Sequence, residues 1–499
     1  MTVAAKHACP SETFLSRPLR LLIDGEWVDA QSGETFEFED PSTGEVIGSA
    51  AAAGPADIDR AVVAARRAFD SGPWPAMPAV ERARLMNRLA DLIDADADEL
   101  ARLESLDGGN PLRSTRHVDI AGAAGRLRYN AGWTNKIFGD TMLMPPASDA
   151  FLCSIREPLG VVGAITPWNA PFFMAVGKIA LAVAAGCTVV LKPAELTPAS
   201  AIRLGELIVE AGFPRGVVNI VTGFGNVAGQ ALVDHPDVDK IAFTGSTAVG
   251  RSILACAAKT MKRVTLELGG KSPVIIFPDA DVDTAARAAA MGAVFKTGQF
   301  CAAGTRIFAH RDIFDRVVEL MATTVGTIKV GPALAADTEM GPIVSRKQRD
   351  RVLGFVEAGR ADGAEIACGG SAIDAPGYFV APTVLANTHG SMSVMREEIF
   401  GPVLCVTRFD TDQGLDPIVA MANDTHYGLA ARVWTRDLGT AHRLVRRIKA
   451  GSVSVNGAGG AGAGEGLPFG GFKQSGIGRE GGHDGIESYT ELKTVAIGY

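Results

Sequence analysis

TVVLKPAELTPASAIRLGELIVEAGFPRGVVNIVT, residues 188 to 222, decides the fold. It opens on a β-branched run, TVVLK, and closes on a second, VVNIVT. Between them Leu204, Leu207, Ile208 and Ala211 fall on one face at helical spacing. Thr197 is placed to cap that helix and Pro198 suits its first turn. Gly212 followed by Pro214 ends it. The pattern repeats outward, with strands expected at VVGAIT (161–166), KIAFT (240–244) and VTLEL (264–268) and helices between. Apolar strands alternating with helices predict an α/β fold with a parallel sheet covered on both faces. FFMAVGKIALAVAAGCTVVL, residues 172–191, is long enough to span a bilayer. Lys178 and Gly186 interrupt it, so a buried helix followed by a strand is expected instead. Upstream, residues 20–50 read as short strands joined by DG and SG turns, and residues 56–137 as mostly helical.

Parallel sheets bind ligands beyond the carboxyl ends of their strands. Pro167, Trp168 and Asn169 follow the first strand. Lys192 ends the second, with Glu195 just beyond. Gly223-Phe224-Gly225 follows the third, and Gly245-Ser246-Thr247 with Gly250 the fourth. The fifth contains Glu267 and runs into Gly269-Gly270. Polar, charged and glycine residues thus collect on one rim. The GSTAVG turn at 245–250 is either a phosphate cradle at a helix N-terminus or a plain strand–helix turn, and GFGNVAG at 223–229 is equally ambiguous. A lysine and a carboxylate at a strand end can hold ribose hydroxyls, and the carboxylate repels a 2′-phosphate, favouring NAD over NADP. Glu267, inside VTLELGG, is either a paired core ion or a desolvated general base. Asn169 is either a turn residue or an amide donor to an oxyanion.

The 499-residue chain is long enough for two or three domains. It is 47% hydrophobic and 21% charged, with a formal net charge of −8. No basic block points to nucleic acid. Its seven cysteines are scattered without a CxxC, so neither a zinc site nor a disulfide framework is expected, and a reducing, cytoplasmic compartment fits. No metal is implied. The N-terminus lacks an apolar core of signal-peptide length.

ITPWNAP (165–171), KPAELTP (192–198), FTGSTAVG (243–250), LELGGKSP (266–273), GQFCAAGTR (298–306), EEIFGPV (397–403) and PFGGFKQSG (468–476) together resemble the NAD(P)-dependent aldehyde dehydrogenase superfamily over nearly the whole chain. The resemblance implies Cys301 as nucleophile, Glu267 as general base, and Asn169 with the Cys301 backbone N–H as oxyanion donors. Lys178 belongs to the active-site region. Glu480 corresponds to a second carboxylate, either a proton relay or a structural ion pair. The implied NAD contacts are Ile165, Thr166, Pro167, Trp168, Lys192, Glu195, Gly225, Gly229, Phe243, Thr244, Gly245, Ser246, Leu268, Gly269, Glu398 and Phe400.

The same resemblance implies a Rossmann-type cofactor domain (1–137 and 156–267), a catalytic domain (268–483) and a β oligomerisation element (138–155 and 484–499), hence a homodimer or homotetramer. The aldehyde channel is expected to be lined by Asn169, Ala170, Phe172, Phe173, Gly177, Phe300 and Phe469. Ala170 and Gly177 are small, and the 457–467 loop is almost all Gly and Ala. A wide channel, a mobile loop and a preference for bulky, hydrophobic or aromatic aldehydes are therefore expected. A semialdehyde dehydrogenase would need a cationic anchor, and no arginine is evident beside the channel motifs. Glu267 argues against a CoA-acylating enzyme. Retention of Cys301, Glu267 and Asn169 argues against a structural protein on a retired dehydrogenase fold, and NADH formation would separate the dehydrogenase from a cysteine hydrolase.

Overall fold

The computed structural model describes residues 10–145, 149–457 and 464–499. The expected strands form one sheet. Arg263–Glu267, Lys240–Thr244, Val161–Ile165, Thr188–Lys192 and Val218–Ile220 lie side by side in that order, all parallel. The chain enters this sheet's parallel core at Val161–Ile165, winds outward to Val218–Ile220, then returns to the other side at Lys240–Thr244. The reversal opens a crevice beyond the carboxyl ends of Val161–Ile165 and Lys240–Thr244. Leu21–Ile23 and Glu26–Val28 extend one edge antiparallel, and Gly476–Ile477 extends the other.

The three central strands are buried along their whole length, as a sheet covered on both faces requires. The apolar run at 172–191 resolves into the helix Pro171–Ala185 and the strand Thr188–Lys192, with Gly186 left-handed between them at φ 97°. Among the described residues no helix is long and apolar enough to cross a membrane. The helix Ala199–Ala211 ends at left-handed Gly212 as expected, but Thr197 does not cap it. The Ala199 N–H instead donates to Asp107 Oδ2 at 2.9 Å, so the cap comes from a different helix.

A second sheet has seven strands in the order Glu365–Cys368, Thr383–Ala386, Val403–Phe409, Arg306–His310, Pro273–Ile276, Ala430–Trp434 and Ser452–Val455. All neighbours are parallel except the first pair. The architecture is therefore α/β with two parallel-sheet cores. A separate antiparallel ribbon joins Ala150–Pro158 to Thr490–Gly498. The C-terminal strand Thr490–Gly498 thus pairs with a strand of its own chain.

Candidate active site

The segment that carries Cys301 leaves the helix Val282–Val294 through a sharp reversal. Lys296, Thr297 and Gly298 have φ of 52°, 58° and 69° in succession. Left-handed backbone at a β-branched residue costs on the order of 1–3 kcal/mol. Long-range bonds hold it: Thr297 Oγ1 donates to the Gly341 carbonyl at 3.0 Å, and Lys296 Nζ to Asp119 Oδ1 at 2.6 Å. Cys301 is partly buried beyond this turn. A Cβ at Gly270 would stand 2.4 Å from the Cys301 carbonyl oxygen, so only glycine permits the approach. Burial, then the negative charges of Glu398 and Glu267, push the Cys301 thiol up to about 12.

Asn169 is buried, and its Nδ2 donates to the Gln299 carbonyl at 2.9 Å, tying the amide to the cysteine loop. Its own carbonyl accepts from Lys296 Nζ at 3.1 Å and Asn110 Nδ2 at 3.4 Å. Glu267 ends its strand opposite Thr244. Both its carboxylate oxygens are buried without a hydrogen-bond partner among the described residues. Burial and the nearby charge of Glu480 hold it well above the usual carboxylate range, against Lys178 and Arg479. Lys178, fully buried, donates to the Glu480 carboxylate. Glu480 is brought there by backbone pairing with Phe469, at 2.6 and 2.8 Å. Cys301, Glu267, Asn169, Lys178 and Glu480 are thus linked through contact or charge.

The cofactor rim is equally organised. Ile165 lies in register with Lys192 and Phe243. Lys192 Nζ meets Glu195 Oε2 at 2.9 Å. Burial raises the Glu195 carboxyl, but Lys192 and the N–H groups of Glu195 and Gly225 overcome it and hold the pKa low. Ser246 caps the helix Thr247–Ala257, and Gly245 N–H bonds the Glu267 carbonyl. Glu398 Oε1 accepts from Gly270 N–H at 2.9 Å. Burial lifts the Glu398 pKa to about 7, against Gly270, Lys271 and Arg351. Phe400 meets Trp168 edge to face at 5.2 Å. The Thr166 and Thr244 hydroxyls, at two strand ends, are buried without partners among the described residues. Unused hydroxyls beside a lysine–carboxylate pair suit a ribose- and phosphate-bearing cofactor such as NAD. Leu268 is buried, Pro167 is partly buried, Gly225 is exposed, and Gly229 has open space at its Cβ position.

On the substrate side two expectations change. Phe172 is fully buried in the helical core and presents no surface to a channel, because its neighbour Phe173 takes the outward position. Gly177 does not widen the channel either. Arg126 fills the space: its Nη1 stands 2.6 Å from the Cβ position of Gly177, and its guanidinium lies 4.0 Å over the Phe173 ring. An arginine beside the channel motifs therefore exists. Ala170 is buried at 4% exposure. Phe300 and Phe469 pack with Cys301 around Ala302, Leu429 and Ala430. Of the glycine-rich 457–467 loop, residues 458–463 lie outside the described residues.

Three further groups escaped the sequence reading. Lys296, Asp119 and Glu104 form a buried charged cluster under the Asn169 loop. Glu104 Oε2 accepts the Phe172 N–H at 3.1 Å. Burial and then Asp119 hold Glu104 well above the usual range, while Lys296 acts against them. Gln348 and Arg351 donate to the carbonyls of Glu398, Ile399 and Phe400 and fix that loop. Arg126 is paired with Glu465. The one local hint was a charged side chain inside an apolar run, as in VFKTGQF.

Residues 27–495 match the model of the aldehyde dehydrogenase family. The mitochondrial aldehyde dehydrogenase of Homo sapiens is 46% identical over 100% of this chain and 96% of its own length. The aldehyde dehydrogenase of Bacillus cereus in complex with NAD+ superposes with a TM-score of 0.95 at 46% identity, covering 98% of each chain. The P. syringae indole-3-acetaldehyde dehydrogenase AldA, solved with NAD+ and IAA, gives 0.94 at 42% identity, over 98% of each chain. With the site's geometry, these matches assign the chain to the aldehyde dehydrogenase family.

Proposed function

We propose that this aldehyde dehydrogenase uses NAD to oxidise bulky, hydrophobic or aromatic aldehydes to carboxylic acids through Cys301. The observation that carries this reading is Glu267, a buried carboxylate without a hydrogen-bond partner among the described residues, whose charge acts on the Cys301 thiol. The thiol loses its proton to Glu267, and the sulfur forms a bond to the aldehyde carbon. The carbonyl electron pair moves to oxygen. There the Cys301 backbone N–H and the second Asn169 amide N–H, the one not given to Gln299, stabilise it. NAD, when bound at the rim, supplies the hydride acceptor for that carbon. Glu267, having released the thiol's proton to solvent, then takes a proton from water, whose oxygen bonds to the acyl carbon as the carbon–sulfur bond breaks and the sulfur leaves as the thiolate. Lys192 and Glu195 hold the adenosine ribose, Gly245 and Ser246 the pyrophosphate, and Glu398 with Phe400 the nicotinamide ribose.

Phe173, Phe300 and Phe469 support the apolar substrate preference, and the AldA relative is named for an aldehyde of this kind. The exposed apolar side chains Phe151, Leu492 and Ile497 on the ribbon support its use as an oligomerisation element in a homodimer or homotetramer. The division at 137, 155, 267 and 483 remains the domain boundary we favour, and the cysteines among the described residues, all free, support a reducing, cytoplasmic compartment. The test is NADH formation at 340 nm with benzaldehyde, a long aliphatic aldehyde and acetaldehyde, with Cys301→Ala alongside. Loss of both NADH formation and ester cleavage in Cys301→Ala is expected. Acetaldehyde as the best substrate by a wide margin would sink the preference, and no NADH with any aldehyde would sink the activity.

A further inference from the structure

Arg126 joins three pieces of the channel mouth. It rises from the helix Ala121–Ala131, and its guanidinium carbon lies over Phe173 at 4.0 Å. Its Nη1 hangs over Gly177, on the same helix as Lys178. Its Nε donates to Glu465 Oε2 at 2.7 Å. The Glu465 carbonyl accepts from Gly482 N–H at 3.0 Å, so this segment is tied to the stretch just after Glu480. The side chains of the pair are only 18% and 26% exposed.

A guanidinium has two donating edges. Glu465 engages the Nε side. The Nη1 end points to Gly177, where a side chain of any other residue would close the space. A guanidinium 4.0 Å over the Phe173 ring, with its Nη1 end at Gly177 next to Lys178, offers the planar, bidentate geometry that a carboxylate accepts. Glu465 supplies the counter-charge that a partly buried guanidinium needs when no substrate is present.

We propose that Arg126 is a specificity-determining residue of the channel, and that it selects aldehydes whose far end carries a carboxylate, with acid-substituted aromatic aldehydes fitting the Phe173–Arg126 wall best. The proposal rests on the aldehyde-oxidising reading above. Glu465 moderates the selection, because its negative charge repels the incoming carboxylate while it orients the arginine.

The test uses the full-length enzyme with NAD and two aldehydes of similar size, 4-carboxybenzaldehyde and 4-methylbenzaldehyde. The readout is the ratio of their kcat/KM values. Arg126→Gln is expected to lower the ratio by roughly tenfold to a hundredfold, the worth of a charge-assisted hydrogen bond, mainly through KM of the acid. Arg126→Lys should recover part of it. Glu465→Gln should raise the ratio several-fold, and it leaves the arginine in place if Arg126→Gln folds poorly. An unchanged ratio in both Arg126→Gln and Glu465→Gln overturns the proposal, as does an equal loss for both aldehydes, which marks a merely structural clasp. Absence of NADH with either aldehyde in the wild type refutes the aldehyde-oxidising reading instead.

Discussion

Replacing Glu480 with glutamine tests whether the buried Lys178–Glu480 pair sets the basicity of Glu267. The amide keeps the shape of the carboxylate and can still accept from Lys178, which is fully buried. What changes is charge. Glu480 is the main neighbouring charge raising Glu267, while Lys178 lowers it. At an effective dielectric of about 20, removing one negative charge from the same buried site is worth on the order of 1–3 kcal/mol and lowers the Glu267 pKa. Lys178 then acts on Glu267 alone, in the same direction. In the proposed role Glu267 accepts a proton from water only as the carboxylate, so a lower pKa keeps it active at lower pH. The acid limb of kcat should therefore move clearly to lower pH in Glu480→Gln. The plateau should fall modestly, since a weaker base activates water less well. Lys178→Met should move the limb the opposite way. The assay is kcat against pH at saturating aldehyde and NAD, with hydrolysis of nitrophenyl acetate past its burst to isolate deacylation. A limb that stays in place, or moves to higher pH in Glu480→Gln, refutes the coupling and leaves Glu480 a structural ion pair.

Lys296→Met leaves Asp119 and Glu104 buried without their cation, and removes the 3.1 Å bond to the Asn169 carbonyl. The expected cost is about 3–5 kcal/mol, read as a lowered urea midpoint with kcat reduced in parallel; unchanged stability would mean that the cluster is not a load on the fold. Glu195→Gln removes the anion that Lys192 holds at 2.9 Å. NADP then meets less repulsion, so the NADP-to-NAD ratio of kcat/KM should rise tenfold or more, and a constant ratio would assign cofactor choice elsewhere.

Local sequence determined the strands, the helix stops and the rim. TVVLK and KIAFT are strands over the expected residues, and Gly212 is left-handed where the helix ends. Periodicity and turn chemistry act over a few residues, so they can be read along the chain. The seven motifs carried the candidate chemistry for the same reason, since each is a short run. Which side chain caps a helix, fills a gap or neutralises a charge is decided by packing. Thr197 was the local choice of cap, yet Asp107 caps the helix. Phe172 and Phe173 are adjacent in sequence, and only the helix's seating buries the first in the core. Lys178 meets Glu480 across 302 residues, Lys296 meets Asp119 across 177, and Arg126 meets Glu465 across 339. These partners carry no mutual signal along the chain, because a buried charge selects whichever opposite charge the folded core places beside it. The sequence alone therefore determined the sheet and the candidate reacting residues, whereas the tertiary structure decided the electrostatics of those residues and the packing around them.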